Sequence, residues 1–248
     1  MSVHYVTTGF VFKKEDRQEA DRIFSVFTRD FGRVELFAKA IRRISSKLKG
    51  GIEIFSLSDI SFIQGKNRKT LIDATVVENF SNIPKNPEKT AAALKACRVL
   101  DIFIQGQELD EKMWKLVVDF FQKLDQEPRL AAASRLMYYY FIWNLFLVLG
   151  YGPELFKCSH CAKSLDSQHL SFSHKEGGVI CSSCAATRKD AKKINPDVVK
   201  TLRLLINQDW ATMIKLKIEP DSLNLLKEIS RDYGRYILPQ TLSNSQHY

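Results

Sequence analysis

Four of the five cysteines in this 248-residue chain form two close pairs, Cys158 with Cys161 and Cys181 with Cys184, and nineteen residues separate the pairs. Two residues between cysteines let both sulfurs of a tight turn point at one ion, and the segment between the pairs can form a short returning hairpin. Four thiolates complete a tetrahedron and leave no open position for water or substrate. The spacing therefore predicts a structural zinc site.

Other interpretations of these cysteines are weaker. A redox C-x-x-C motif requires only one pair, and four unrelated buried thiols would not share this spacing. His160 and His174 are conceivable substitute ligands, but four cysteines fill the site, so we expect both to be surface or loop histidines. Cys97 is left over, and its predicted state is a buried free thiol.

The positive charge is concentrated in two segments. The net charge is +9 with a pI near 9.3, and the whole excess lies in residues 1–80 and 157–203. Clustered cations attract polyanions, so nucleic acid is the leading partner and an anionic membrane surface the second, while an ordinary solvated surface is the neutral alternative. The cations near the cysteines can balance the charge of a zinc–thiolate site or contact phosphate; they are Lys157, Lys163, Arg188, Lys189, Lys192 and Lys193.

The densest basic run lies in residues 33–51, where six cations accompany one acid. Arginine grips phosphate oxygens with two donors, lysine adds mobile charge, and Ser45 and Ser46 can donate to the same backbone. Lys66, Arg68 and Lys69 can extend this track from a later turn. The six cations of the run are Arg33, Lys39, Arg42, Arg43, Lys47 and Lys49.

Three phenylalanines near these cations admit two roles. Phe37, Phe55 and Phe62 can stack on bases, but phenylalanines at strand spacing more often face a core, and core packing is the preferred prediction for each.

The first eighty residues predict a small closed barrel, because five segments rich in Val, Ile, Phe and Thr are separated by charged or glycine-containing turns. In the second segment Ile23, Phe24, Val26 and Phe27 are too apolar for simple alternation, which predicts a strand covered on both sides. The predicted strands are residues 5–12, 22–28, 33–39, 52–63 and 70–80.

After Asn82 the pattern becomes helical. We therefore predict a barrel domain over residues 1–82 and a helical domain over residues 83–248, the latter containing a zinc knuckle at 156–187. The first helix should carry Leu94, Cys97, Leu100, Asp101 and Ile104 near one face. The predicted helices span 87–106, 109–124 and 128–149, with two more beginning near 196 and 220 and the last ending before Pro239.

Several classes are disfavoured. Residues 1–12 lack the apolar core of a secretory signal, and the most apolar stretch, 136–149, is shorter than a membrane span and contains Asn144, which predicts a buried helix. No nucleophile elbow, phosphate-binding glycine loop, histidine metal pair or carboxylate dyad is visible, so we expect no enzyme. We expect a cytoplasmic protein.

The order of the motifs resembles the RecO family of bacterial recombination and repair mediators, over nearly the whole chain. The resemblance is carried by residues 8–12, 28–33, 38–43 and 47–50, by Leu149–Leu155 leading into Cys158, and by Gly177 and Gly178 before Cys181. Ala40 stands where the family often has glycine, and Ile54 precedes Phe55 where it often has proline. These departures concern local turn geometry.

The resemblance implies an α+β protein with an N-terminal five-stranded OB-fold barrel, followed by an all-helical domain with an inserted four-cysteine zinc knuckle. RecO-like proteins bind single- and double-stranded DNA, anneal complementary strands, cooperate with RecR, and remodel single-strand-binding protein so that RecA can load. By motif, Lys39, Arg42, Arg43, Lys47 and Lys49 would contact DNA, and the four paired cysteines would bind zinc. Such a protein would be associated with the nucleoid.

Three alternatives remain at this point. An RNA-binding or ribosome-associated protein could use the same barrel and cysteine knuckle, because phosphate-directed cations do not distinguish RNA from DNA without a contact to the 2′-hydroxyl. A zinc-dependent nucleic-acid-modifying enzyme would require an open metal position or an acidic cluster. A module that holds a partner's tail on its apolar helices could coexist with DNA binding.

Overall fold

The computed structural model of the protein describes residues 3–104, 110–127 and 130–238, apart from the side chains of residues 130–135. The chain divides into two compact units, residues 1–128 and 129–248. Predictions that involve Gly106, Leu109, Pro128, Pro239 or the residues after it lie outside the described residues.

Five strands of the first unit form a closed barrel in the order β1-β2-β3-β5-β4. Neighbouring strands pair antiparallel except β3 and β5, whose short parallel pairing joins Phe37 to Thr70 and closes the barrel. This five-stranded barrel is the predicted OB-fold. Its strands are β1 (Val3–Arg17), β2 (Asp21–Thr28), β3 (Gly32–Ala38), β4 (Ser56–Gln64) and β5 (Lys69–Asn79).

Strand β2 is covered on both sides, as its composition predicted. Phe24 and Val26 are fully buried in the barrel core. Phe27 points the other way and packs against Trp114, with ring centroids 5.8 Å apart. The absence of polar alternation in this strand is therefore explained by two apolar environments rather than one.

The fourth predicted strand was wrong at its start. Extended structure begins at Ser56, not Ile52; residues 52 and 53 are irregular, and residues 54 and 55 form a turn. Phe55 has φ 58°, in the left-handed region, which interrupts the extended chain. The departure from the family pattern at Ile54 and Phe55 thus falls on a turn.

Two helices complete the first unit, α1 (Pro87–Phe103) and α2 (Glu111–Gln126). The side chain of Asn86 accepts from two backbone N–H groups of α1 and Pro87 stands in its first turn, so the predicted start is confirmed. Leu94 was wrongly placed on the buried face and is 39% exposed. The buried face is centred on small alanines, which carry a weaker hydrophobic signal than leucine.

Phe121 of α2 is the centre of an aromatic cluster that packs this helix against the barrel. Its ring centroid lies 4.2 Å from that of Phe10, 6.0 Å from that of Phe55 and 6.1 Å from that of Phe80. All four side chains are at most 4% exposed. Helix α2 is therefore part of the same packed unit as the barrel.

The second unit is mainly helical and contains a small three-stranded sheet with the order β7-β6-β8. Strands β6 and β7 form the short hairpin that was predicted between the cysteine pairs. The elements are α3 (Leu130–Val148), β6 (Leu170–Ser173), β7 (Gly178–Ile180), α4 (Ser182–Ala185), β8 (Ala191–Ile194), α5 (Pro196–Ile206), α6 (Trp210–Met213) and α7 (Pro220–Ile237).

Helix α3 is the buried centre of this unit, as predicted. Trp143 is fully buried, its indole N–H donates to the Ser230 hydroxyl at 2.9 Å, and its ring stacks on that of Tyr233. Asn144 is 1% exposed and donates to the carbonyls of Tyr140 and Leu205. A buried amide with its partners satisfied is tolerated in an apolar helix. Among the described helices, none has the length and apolarity needed to cross a membrane.

Candidate functional site

Successive side chains of strand β3 alternate strictly between buried and more exposed positions. Val34, Leu36 and Ala38 are at most 1% exposed and fill the barrel. Because successive strand residues point to opposite faces, Arg33 and Phe37 lie on the outer face, and Lys39 continues that face beyond the strand end. The alternation therefore places charge and an aromatic ring on one outward surface.

This surface forms one wall of a cleft of about 850 Å³ in the barrel unit. The other walls are the turn between β1 and β2 and the turn between β4 and β5. Five cations and two acids line the cleft, so its charge is net positive. The lining residues are Arg17, Gln18, Asp21, Ile23, Arg33, Glu35, Phe37, Lys39, Gln64, Asn67, Arg68 and Lys69.

Phe37 differs from the other two candidate stacking residues. It is half-buried, and the guanidinium carbon of Arg68 lies 3.9 Å from the centroid of its ring. Phe55 and Phe62 are 4% and 1% exposed, so both belong to the core, as preferred from the sequence. Phe37 is thus the one of the three that presents a ring and a stacked cation to the cleft.

Arg33 is held by the protein itself. Its guanidinium pairs with Asp101 at 2.8 Å and with Glu35 at 2.9 Å, and it donates to the backbone carbonyls of Asp101 and Ile104. These contacts tie β3 to the C-terminal end of α1. A contact of Arg33 with DNA stays a prediction. In the structure, this side chain connects β3 to α1.

Between β3 and β4 the chain forms a segment that we call the basic loop, residues 39–51. Its ends are anchored, because Ile41 is 2% exposed and Gly51 lies so close to Ala74 that an added Cβ would be 1.8 Å from the Ala74 carbonyl oxygen. The backbone N–H of Arg42 donates to the Ala20 carbonyl at 3.0 Å, and that of Ala40 to the Asp21 carboxylate at 2.7 Å. The basic loop is therefore fastened to the β1–β2 turn that lines the cleft.

The predicted DNA contacts in the basic loop are exposed: Lys39, Arg42, Arg43, Lys47 and Lys49. Arg42 lies 3.6 Å from Asp16, whereas the other four have no ion-pair partner among the described residues. Arg68 and Lys69 line the same cleft as Lys39, and Lys66 is exposed in the turn that holds them. Of the basic-loop cations, Lys39 thus shares the cleft with Arg68 and Lys69, whereas Arg42 and Lys49 line a separate, smaller pocket.

Arg17, Gln64 and Asn67 also line the cleft and were missed by sequence reasoning. Arg17 stands among acidic residues in the sequence, and the two amides carry no charge signal. Only the folding of two turns beside β3 brings them to this surface, so composition alone offered no indication of them.

In the second unit, the four paired cysteines converge. Their sulfurs all lie within 4.8 Å of one another, and the sulfurs of Cys161 and Cys181 are 3.8 Å apart. A tetrahedral zinc–thiolate site with Zn–S bonds of about 2.3 Å requires sulfurs about 3.8 Å apart. The cluster is compatible with a metal ion, and the donor set and spacing fit zinc.

Backbone contacts build this cluster. The N–H of Ala162 donates to the Cys158 carbonyl at 2.8 Å, which closes the first turn, and the N–H of Cys181 points at the Cys158 sulfur at 3.4 Å. Gly178 pairs with Glu154, and a Cβ at this position would lie 2.3 Å from the Glu154 carbonyl oxygen. Glycine is required there, so the hairpin can return close enough to join the two pairs.

The thiols influence each other's ionisation. The Ser183 hydroxyl, followed by the backbone N–H of Cys184, lowers the pKa of Cys181 to about 6. Desolvation, followed by the neighbouring sulfurs, raises the pKa of Cys184 to about 12. In unit 1, burial raises the pKa of Cys97, the predicted inert thiol.

Neither histidine near the cysteines belongs to the cluster. The Nδ1 atom of His160 lies 3.1 Å from Glu176 and 2.7 Å from an Arg188 nitrogen, and His174 faces Asp190 at 3.7 Å. Arg188 also pairs with Glu176 at 2.6 Å. Two of the cations predicted around the knuckle, Arg188 and Lys192, are thus engaged with acids, Lys192 with Glu228.

A closed five-stranded barrel with a cationic cleft, joined in sequence to a helical unit, defines a class: OB-fold proteins that carry a four-cysteine knuckle compatible with a metal ion. Two family descriptions match the chain, "Recombination protein O N terminal" over residues 1–80 and "Recombination protein O C terminal" over residues 84–245. The chain belongs to the RecO family.

Individual relatives agree over most of the chain. A protein of Dehalococcoides mccartyi strain CBDB1 named DNA repair protein RecO is 30% identical over 236 residues, covering 94% of this chain and 90% of the relative. One of the same name from Caldanaerobacter subterraneus subsp. tengcongensis is 28% identical and covers 86% and 84% of the two chains. The similarity therefore extends over both compact units.

Proposed function

We propose that this protein acts in DNA repair by binding DNA through the cleft and the basic loop, without reading base sequence. The observation that carries this proposal is a cleft in which Phe37, its stacked Arg68 and the unpaired Lys39 lie together. Lys39 begins the basic loop, whose cations Arg43, Lys47 and Lys49 are exposed and have no acidic partner in the described residues. Cations that follow a phosphate backbone and a ring that accepts any base together favour single strands.

The basic loop suits phosphate binding in particular. Lys39, Arg43, Lys47 and Lys49 keep their charge available, because no acid in the described residues neutralises them. Binding would release counterions from the DNA, and each phosphate contact with a single strand should steepen the logarithmic salt dependence of affinity by about 0.7. Backbone contacts of this type carry no information about base sequence.

We propose annealing of complementary strands as the resulting activity. Two strands repel each other through their phosphates, and a surface that neutralises both lowers this repulsion and raises their local concentration. No covalent step is required, so we propose that the protein is not an enzyme. Membership in the RecO family supports this proposal, with RecR, single-strand-binding protein and RecA as the expected partners in recombinase loading.

We also propose that the cysteine cluster binds one structural zinc ion through Cys158, Cys161, Cys181 and Cys184. Four sulfur ligands would complete a tetrahedron around the ion, which would then have no position for a substrate. The ion would hold the two turns and the β6–β7 hairpin together, and its part in DNA repair would be to maintain the fold of the second unit.

The test is a salt titration of oligonucleotide binding by the full chain and by an Arg42→Ala/Arg43→Ala double variant. If both arginines contact a single strand, the salt slope should fall by about 1.4, equally for unrelated sequences. Lys112→Ala/Lys115→Ala on α2 removes the same charge from the same unit and should leave the slope unchanged. An identical decrease in both variants, or no decrease in either, would contradict the proposed surface.

Annealing and nucleic-acid type are tested separately. Complementary oligonucleotides coated with single-strand-binding protein should anneal faster with the protein than without it, and the Arg42→Ala/Arg43→Ala variant should lose this acceleration. In competition, matched RNA that displaces DNA at equal or lower concentration would favour the RNA-binding alternative instead.

A further inference from the structure

The basic loop carries one apolar residue at its tip, Ile44. Its side chain is 97% exposed, more than any other large apolar side chain among the described residues. Its chain neighbours are Arg43 and Ser45, and both are exposed as well. A single exposed apolar side chain is common on protein surfaces and by itself indicates nothing. What distinguishes Ile44 is its position between exposed cations on a loop that is anchored at both ends.

The tip is held in place by the rest of the loop. Ile41 on one side is buried, and Leu48 on the other packs against the barrel core. Between them, the N–H of Arg43 donates to the Ala40 carbonyl and the N–H of Ser46 to the Arg43 carbonyl, each at 3.1 Å. Ile44 is therefore presented at a defined position by consecutive turns that are anchored at both ends.

The residues around Ile44 indicate which class of molecule its side chain contacts. Arg42 and Arg43 precede it, Lys47 and Lys49 follow it, and no second exposed large apolar residue lies in the loop. One isolated apolar side chain supplies only a small part of the roughly 800 Å² that each partner buries in a stable protein interface. A single apolar side chain between cations does match nucleic acid, where phosphates flank stacked apolar base faces.

We propose that Ile44 is a wedge that enters between neighbouring bases of the bound DNA while the flanking cations hold the phosphates on either side. Apolar wedges of this size partially unstack base steps in other DNA-binding proteins. Here the unstacked bases would be kept apart from their own neighbours and open to a complementary strand. The inference rests on the proposed DNA binding and adds a residue that acts on the bases rather than on the backbone.

The experiment uses the full metal-containing chain and an oligonucleotide with 2-aminopurine, whose fluorescence increases when its base is unstacked. Saturating wild-type protein should increase this emission. With Ile44→Ala the increase should fall by more than half, while the salt slope stays unchanged because no charge is removed. Ile44→Leu should retain most of the increase, since a side chain of equal size remains.

The control is Val6→Ala, which shortens a side chain that is 70% exposed on β1, outside the basic loop. It should leave the emission at the wild-type level, and thermal unfolding of both alanine variants should match that of the wild type. An Ile44→Ala variant that increases the emission as much as wild type would overturn the wedge. A chain that binds no oligonucleotide would instead refute the proposed function, independently of Ile44.

A lipid surface is the remaining partner for an apolar tip among cations. Vesicles of phosphatidylserine and phosphatidylcholine provide the comparison. Vesicle binding that Ile44→Ala abolishes, together with unchanged 2-aminopurine emission, would assign Ile44 to a membrane and overturn the proposal. Absence of vesicle binding, together with the reduced emission, would support it.

Discussion

The basic loop and the surroundings of the cysteine knuckle are both rich in cations, and the two regions can be compared by which cations the fold pairs with acids. Beside the knuckle, Arg188 pairs with Glu176 at 2.6 Å, and Lys192 on β8 pairs with Glu228 on α7. In the basic loop, Lys47 and Lys49 extend from the chain without an acidic partner in the described residues. The other four cations around the cysteines, Lys157, Lys163, Lys189 and Lys193, are exposed and have no ion-pair partner in the described residues either. Charge density in the sequence therefore does not tell which cations remain available, because nearby acids in the fold engage some of them and not others.

The largest expected effect concerns the knuckle. Cys181→Ser should abolish metal binding and unfold the knuckle, because a structural zinc site supplies on the order of 10 kcal/mol of folding free energy. Metal content and thermal unfolding measure this directly. Cys97→Ala, which removes the remaining thiol, should keep the wild-type metal content. Unchanged metal content in Cys181→Ser would show that the cluster does not bind metal as a unit.

The next largest effect concerns the stability of the unit that contains the barrel. Phe121→Ala should reduce the free energy of unfolding by about 3–5 kcal/mol, since it empties the centre of an aromatic cluster. Urea unfolding gives the value. Phe156→Ala, at a ring that is 62% exposed in the knuckle unit, should cost less than about 1 kcal/mol. Equal losses in the two variants would contradict the packing described for α2.

The cleft should respond to loss of its exposed ring. Phe37→Ala should weaken single-strand binding by about 1–3 kcal/mol with an unchanged salt slope, because stacking is lost and no charge is removed. Fluorescence anisotropy at several salt concentrations separates the two quantities. Phe37→Tyr retains a ring and should bind nearly as well as wild type; equally weak binding by both variants would argue against stacking.

A pair of single substitutions compares the two cationic regions. Lys47→Ala should lower the salt slope for single strands by about 0.7. Arg188→Ala should leave the slope unchanged, because this guanidinium is bonded to Glu176 and to the Cys184 carbonyl. The same salt titration measures both. A decrease in slope for Arg188→Ala alone would reverse the assignment of the DNA surface.

The smallest expected effect is stabilising. Ala40 has φ 54°, in the left-handed region where a Cβ is unfavourable. Ala40→Gly should raise the free energy of unfolding by about 0.5–1 kcal/mol, as relief of backbone strain exceeds the entropy that glycine gains in the unfolded chain. Thermal unfolding tests this, and Ala93→Gly, inside α1, should destabilise. A lower free energy of unfolding for Ala40→Gly would refute the prediction of backbone strain at Ala40.

Much of the local structure was predictable. Cysteine spacing identified the four residues of the cluster, because a ligand turn is a short-range feature of the chain. Asn86 with Pro87, and Asn195 with Pro196, marked helix starts through caps that lie within a few residues. The doubly buried β2 was also predictable, since its apolar residues leave no polar face.

Other features depended on the assembled fold. The extended segment expected from Ile52 was interrupted by the left-handed Phe55, and the buried face of α1 lay on alanines rather than on Leu94. The periodicity of apolar residues in the sequence indicates neither the backbone conformation of one residue nor the element against which a helix packs. Likewise, three phenylalanines of similar context divided into two core residues and the half-buried Phe37, because only closure of the barrel defines its inside.

The sequence alone determined which residues were chemically able to act: paired cysteines, a dense basic run, and strands of the right length for a barrel. The tertiary structure decided which of these residues lie close together. The parallel pairing of Phe37 with Thr70 places Arg68 over an aromatic ring distant in sequence, and Asp101 engages Arg33. Local spacing encodes short-range geometry, whereas contacts between distant residues depend on how the whole chain closes on itself.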